Sequence, residues 1–347
     1  AKGALFPEAG RRYLQTSGFQ VTKPIYTAGR EQYGIEAAEA AVSAAESQSS
    51  AVRQQIRLSA LNVHSALIRD RALLRLEQDT QQALDRAVFD ATRRLKAGEV
   101  TRTDLAQAQA RQALGLAAQN RAQANLAISE SQYRALTGVD PVNPPDRLPR
   151  PGIPADVTAA MALLEQSPEL EAARSALVAA ERRYAGSLRE LMPSVLFNGH
   201  GLSQKDSDFS RDRITSYGVS LQASWPLLDG GLANSHQQQA RVAVEQAREQ
   251  VRAVRETQQQ RLREDYARLQ ASQAQAPALQ QAEQAAQLAL DTIRKELELG
   301  TRTTFDLLTA QRDLLETRTQ IVLNQQEQTV LHYQILADMG QLEQVGP

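Results

Sequence analysis

Two places in this 347-residue sequence set a hydroxyl three residues ahead of a carboxylate: Thr101 before Asp104, and Thr303 before Asp306. In the pattern S/T-x-x-D the hydroxyl accepts from the backbone N–H of the acid, and the acid reaches back to the hydroxyl residue. The pair thereby starts a helix with a negative charge at its positive end. Other reactive groups form no constellation. His64, His200, His236 and His332 lack metal-ligand spacing, so no metal is expected. Gly199-His200-Gly201 and Gly230-Gly231 do not follow a phosphate-loop pattern. The absence of cysteine excludes disulfides, zinc fingers and thiol catalysis. With no nucleophile beside a base, neither enzyme chemistry nor a cofactor is expected. The 39 basic and 40 acidic side chains nearly cancel, and Arg93-Arg94 and Arg182-Arg183 have acids nearby, so nucleic acid is not an expected partner.

The elements that carry these residues are mostly helix. Hydrophobic residues make up 42% of the chain but aromatics only 4%, and alanine dominates, which argues against one thick core. Residues 35–96 contain neither glycine nor proline, and nor do residues 301–339. The first stretch alone would reach roughly 95 Å as a helix. Val52, Ile56, Val63, Leu67 and Leu74 follow a 4-7-4-7 spacing that Leu84, Val88 and Leu95 resume, a narrow coiled-coil seam. No apolar stretch is long enough for a membrane-spanning helix.

An internal repeat organises the chain. At a constant offset of 202 residues, Pro24 and Gly29 map onto Pro226 and Gly231, Gly98 onto Gly300, Asp104-Leu105 onto Asp306-Leu307, and Gly138 onto Gly340. Each half reads as strand signal, a helix of about 70 residues, a turn, and a returning helix of about 35. Pro277 lies inside the second long helix and predicts a kink or break there. Six of the thirteen prolines fall in residues 138–154, a stiff extended connector. Two shorter helices follow it, at about 155–166 and 169–191, with Pro168 suited to a first turn.

Strand signals occur in two places. Tyr217, Val219, Leu221, Ala223 and Trp225 alternate with small polar residues, and Val195 and Phe197 begin a partner strand, with residues 199–213 read as a polar loop. One apolar face is what a membrane barrel strand shows. The first half has Phe19, Val21 and Lys23, with residues 7–14 as a short partner. A membrane strand needs about 9–11 residues, so this hairpin reads as incomplete. The repeat also predicts about 40 further residues ahead of this start, with a signal peptide before them. Trp225, Tyr217, Phe19 and Tyr26 fit either an interfacial aromatic girdle or buried packing at the strand-to-helix junction.

Residues 226–231 (Pro-Leu-Leu-Asp-Gly-Gly), 299–308 (Leu-Gly-Thr-Arg-Thr-Thr-Phe-Asp-Leu-Leu) and 97–105 (Ala-Gly-Glu-Val-Thr-Arg-Thr-Asp-Leu), in this order and spacing, resemble the TolC family of outer-membrane exit ducts. The resemblance runs over nearly the whole chain. It implies a mainly α fold with a small β part: coiled-coil hairpins forming a long α-helical barrel, and four strands per subunit shared in a trimeric twelve-stranded transmembrane β-barrel. The domains would be residues 1–28 (first strand hairpin), 29–138 (first helical hairpin, tip near 98–104), 139–192 (connector and equatorial helices), 193–229 (second strand hairpin) and 230–347 (second helical hairpin, tip near 300–306). It further implies a homotrimer in the outer membrane of a Gram-negative bacterium, in contact with its lipid and spanning into the periplasm. The partners would be a periplasmic adaptor (membrane fusion) protein and an inner-membrane ABC transporter or proton-driven pump. The duct would serve type I protein secretion, the branch its segments lean towards, or multidrug efflux.

By the same resemblance the periplasmic tip opens like an iris. Asp104 and Arg302, flanked by Thr103, stand where family members form a constraining link; the usual tyrosine partner is Leu297 here. Asp306 matches an aperture aspartate, and a second such position is Thr309. Three Asp306 carboxylates in one mouth would concentrate cations. Pro24, Gly29, Gly98, Pro226, Gly231 and Gly300 would be the structural punctuation. The alternative from another class is a soluble periplasmic coiled-coil scaffold or adaptor, which explains the heptads and the repeat but not the alternating strands.

Overall fold

The computed structural model describes residues 14–141, 147–206 and 213–342. The order of elements is β1 (Leu14–Tyr26), α1 (Arg30–Lys96), α2 (Arg102–Thr137), α3 (Val157–Leu164), α4 (Pro168–Ser187), β2 (Ser194–Asp206), β3 (Arg213–Ser224), α5 (Leu232–Glu298) and α6 (Thr304–Asp338). The fold is mainly helical with one small sheet, as the sequence predicts. Two compact units divide the chain, Ala1–Glu46 with Ala172–Arg252, and Ser47–Glu171 with Ala253–Pro347.

In the first unit the strands form an antiparallel sheet in the order β1-β2-β3. Phe19, Gly201 and Tyr217 share one row across it, as do Val21, Gly199 and Val219, and Lys23, Phe197 and Leu221. Rows of the opposite face are polar: Gln20, His200 and Gly218, then Thr22, Asn198 and Ser220, where Thr22 Oγ1 donates to Asn198 Oδ1 at 3.0 Å. The period of two thus sorts the side chains into one apolar and one polar face. The apolar face is open, with Tyr217 86% and Val219 77% exposed. Small residues of α1, α4 and α5 are buried in this unit: Ala37, Ala172, Ala179, Ala180 and Ala233. Polar links join the three: Ser43 to Ser175 (3.2 Å), Arg182 to Glu36 (3.2 Å) and Arg248 to Glu181 (3.5 Å).

The second unit holds two antiparallel helix pairs. On α2, Gln112 donates to Asp85 of α1 (2.8 Å) and Ser129 donates to Asp70, so the numbering falls along one helix as it rises along the other. On α6, Arg318 reaches Glu283 of α5 (2.9 Å) and Asn324 donates to Ser272 (3.0 Å). The main core gathers Leu58, Leu262, Leu269, Leu331, Ile335, Leu336 and Met339 with Ala160 and Leu164 of α3. The connector is laid against α5 and α6 by two tyrosine hydroxyls, Tyr333 donating to Pro149 O (2.6 Å) and Tyr266 to Pro154 O (2.8 Å). Proline has no N–H, so its carbonyl is the group through which such a segment bonds.

Three expectations change. First, α5 runs through Pro277 without a break. The lost donor costs about 3 kcal/mol in isolation. Beside the carbonyl of Gln273, which Pro277 leaves without its helical donor, α6 holds α5 in place: the Asn324 and Gln328 amides both donate to Ser272 O at 3.0 Å. Second, residues 199–206, read as loop, are strand, and β2 and β3 are 13 and 12 residues long. Their glycines make room for rings. A Cβ on Gly201 would stand 2.6 Å from the Phe19 ring, and one on Gly218 2.9 Å from the His200 ring. Third, α3 and α4 are shorter than expected, ending at Leu164 and Ser187. The strand expected at 7–14 lies, apart from Leu14, outside the described residues, so three strands are described where four were expected.

Candidate functional site

Both helical hairpins turn in the same way. Gly98 (φ 78) and Gly300 (φ 76) take left-handed backbone that favours glycine, and their N–H groups donate to Leu95 O (3.0 Å) and Leu297 O (3.1 Å). Thr101 and Thr303 then cap α2 and α6. Asp104 Oδ2 accepts from Thr101 N (2.9 Å) and Oγ1 (2.8 Å), and Asp306 Oδ2 from Thr303 N (3.0 Å) and Oγ1 (2.8 Å). The Thr303 backbone and hydroxyl, then the charge of Arg302, hold Asp306 below the ordinary carboxylate range. It is therefore a fixed anion at neutral pH.

The structure does not join Arg302 to Asp104. Arg302 Nε donates to Glu296 Oε2 at 2.9 Å, which pushes the guanidinium up from its ordinary range. Asp104 is occupied by its own cap. The carboxylate at position 296, one turn before Gly300, competes for Arg302 from within the same turn, and sequence reading gave it no weight. Thr103 is exposed, and Thr309 Oγ1 donates to Phe305 O (2.9 Å) inside its own helix. A direct polar link between the two turns is made by Arg94. Its Nη2 donates to Leu297 O (2.9 Å) at the end of α5, while its Nε bonds Glu99 (3.3 Å). A cation at the carbonyl end of a helix is favourable. The signal was present in the repeat: Arg94 and Glu296 occupy equivalent positions with opposite charge. Close to these turns, Leu308 of α6 packs with Leu84, Ala87, Ala91 and Ala108 of the first pair.

At the strands, Phe19 and Tyr217 lie in adjacent strands of the apolar face and Trp225 follows β3. Trp225 is 64% and Tyr26 53% exposed, so the buried-junction alternative does not hold within this chain. The Trp225 indole donates to Leu191 O at 3.1 Å. Pro24 sits at a register irregularity of β1, and Pro226 lies between β3 and α5. Gly29 and Gly231 immediately precede the first residues of α1 and α5, where Asp229 accepts from Gly231 N (2.9 Å) and Ala233 N (2.6 Å). Those two bonds pull the Asp229 carboxyl below its ordinary range. Among the described residues no cluster of metal-ligating side chains occurs, and no helix is long and apolar enough to cross a membrane.

Comparison with known proteins identifies the family. The outer membrane efflux protein family matches residues 160–339. Outer membrane efflux protein BepC of Brucella suis is 27% identical over 351 residues, covering 98% of this chain and 75% of that protein. VceC of Vibrio cholerae has the same fold, with a TM-score of 0.81 at 19% identity over 95% of this chain and 87% of its own. The Campylobacter jejuni CmeC outer membrane channel gives 0.80 at 14% identity over 96% and 78%. The chain belongs to the outer membrane efflux protein family, as a channel protein of the Gram-negative outer membrane that extends into the periplasm and not an enzyme.

Proposed function

We propose that three copies of this chain close into one duct that receives exported molecules from an adaptor and an inner-membrane pump and releases them outside. The observation that carries this is the sheet. It has one exposed apolar face, one polar face, and outer edges on β1 and β3 that are unpaired among the described residues. Unpaired edges are satisfied when strands of neighbouring copies continue the sheet into a closed barrel, with the apolar face towards lipid and the polar face towards the lumen. The wall does no chemistry, so the energy comes from the pump. The segments at 226–231 and 299–308 favour type I secretion, and the name of the Brucella relative favours efflux; a passive duct serves either.

The gate in this reading is the pair of turns. Arg94 clasps the first hairpin to the last carbonyls of α5, and Arg302 is stored on Glu296. The Arg302–Asp104 latch implied by the family resemblance then belongs to a second gate state, reached when Arg302 exchanges one carboxylate for another. Thr103 flanks that latch. Asp306, fixed as an anion by its cap, lines the aperture, while Thr309 adds little because its hydroxyl is spent on Phe305.

Fractionation and planar-bilayer recording test the proposal together. The full-length protein should stay in the outer membrane as a detergent-resistant trimer, and Arg94→Gln should raise its single-channel conductance. A protein that washes off membranes with salt would instead be the scaffold. Wild-type conductance in Arg94→Gln would refute the clasp and leave the duct standing.

A further inference from the structure

The polar face of the sheet carries a titratable side chain that the export reading does not use. Five successive rows of this face run from Thr16, Gln204 and Ile214 to Pro24, Leu196 and Gln222. They hold hydroxyls, amides, glycines, a proline and aliphatic side chains, and no Asp, Glu, Lys or Arg. The middle row is Gln20, His200 and Gly218, and His200 is the one titratable residue of the five rows. Lys23 stands in a row of the apolar face instead.

His200 lies on the central strand, so β1 and β3 flank it on both sides. No neighbour on this face, in its own row or in the two beside it, titrates or carries a charge. Gly218 leaves room for its ring: a Cβ there would stand 2.9 Å from the imidazole. The ring thus takes the place of a side chain at 218, at an exposed position. Histidine is the side chain that gains a charge between pH 8 and pH 5.

We propose that His200 gives the duct a pH-dependent charge selectivity. Three copies of the chain present three imidazoles at one level of the lumen, neutral at pH 8 and cationic at pH 5, so that acidification favours the passage of anionic solutes. This rests on the duct reading, which turns the polar face to the lumen. With no carboxylate beside His200, each proton taken up adds directly to the potential of the bore. Screening sets where the effect is visible. The Debye length is about 30 Å at 0.01 M salt and about 3 Å at 1 M, so the ring acts across a wide bore only in dilute salt. The Asp306 carboxyl, held below its ordinary range by the Thr303 cap, stays anionic over the same pH interval.

Reversal potentials of the full-length trimer in planar bilayers, at about 0.01 M KCl and at pH 8 and pH 5, test this. The wild-type preference for potassium over chloride should fall about twofold or more between pH 8 and pH 5, and the fall should vanish at about 1 M KCl. His200→Gln should remove most of the fall, and His200→Lys should show the acid preference already at pH 8. The variants place an uncharged amide and a fixed cation at an exposed position, so either one decides the matter if the other fails to assemble. An equal fall in His200→Gln overturns the assignment, as does a wild-type preference in His200→Lys at pH 8, and in both cases the duct stands. A wild-type protein that forms no channel refutes the duct reading, and the histidine ring with it.

Discussion

Asp338, the last residue of α6, tests how the second unit tolerates buried charge. Its Oδ2 is buried without a hydrogen-bond partner. Three charged groups act on it: Asp265 and Arg261 from α5, and Glu169 from α4. Burial, followed by the repulsion of Asp265, raises the carboxyl to about 7, with Arg261 opposing and Glu169 adding to the rise. Burial also pushes the Asp265 carboxyl upward. The unfolded chain releases the Asp338 proton near the ordinary aspartate value of about 3.9, whereas the fold keeps it until about 7. The stabilising effect of the raised value is therefore fully present below pH 4 and is lost as pH rises through 7. Above that, the folded state carries a charge it disfavours by up to about 4 kcal/mol, three units at 1.36 each. Asp338→Asn removes the charge while keeping the shape. It should stabilise the protein by up to about 4 kcal/mol at pH 8 and by only about 1.5 kcal/mol at pH 5, with the gain vanishing below pH 4. Denaturant unfolding of the detergent-solubilised protein at pH 5, 6, 7 and 8, wild type beside variant, measures it. Parallel stability curves across that range would refute the reasoning, as would a variant less stable than wild type at pH 8.

Two further outcomes follow from the repeat. Gly340 and Gly138 both take left-handed backbone (φ 75 and 73), but a Cβ on Gly340 would meet Pro168 Cδ at 2.5 Å, whereas one on Gly138 would meet nothing within 4 Å. Gly138→Ala should cost about 1–2 kcal/mol for backbone strain alone, and Gly340→Ala about 2–4 kcal/mol because a rigid ring must also move; equal losses in denaturant unfolding would deny the Pro168 contact its role. Asp306→Asn keeps an acceptor for the Thr303 cap but removes the charge, so planar-bilayer recordings should show weaker cation selectivity; unchanged selectivity would remove Asp306 from the aperture.

The helices were legible because their signal is an absence: sixty residues without glycine or proline permit little else, and a repeat at fixed offset locates the turns. The strands were half legible. Gly201 and Gly218 resemble turn residues in a linear reading, yet in the sheet they seat the Phe19 and His200 rings of neighbouring strands, and only the cross-strand register shows what a missing side chain is for. Capping at Thr101 and Thr303 was readable because the contacts are three residues apart. The Arg94 link joins residues 203 apart, and its acceptor is a backbone carbonyl that every residue possesses, so no residue type announces it. The same holds for Tyr266 and Tyr333, whose bonds to proline carbonyls position the connector.

The two turns share a backbone to within a few degrees at Gly98 and Gly300, yet differ in charge one turn earlier, with Arg94 in the first and Glu296 in the second. That difference bears on how a ring of such hairpins opens. If both copies of the turn were alike in every side chain, each junction around the ring would resist opening equally, and a docking partner would have to break all of them together. With Arg94 reaching out to the neighbouring hairpin and Glu296 retaining its own Arg302, one turn supplies the link and the other receives it through a main-chain carbonyl. Losing the Arg94 bond would remove this polar link without disturbing the caps at Thr101 or Thr303, because neither cap uses Arg94 or Glu296. In the proposed gate the helices would keep their starts while the clasp between them changes. In the proposed gate, the inverted charge at Arg94 and Glu296, at the turns themselves, marks where the wall would part.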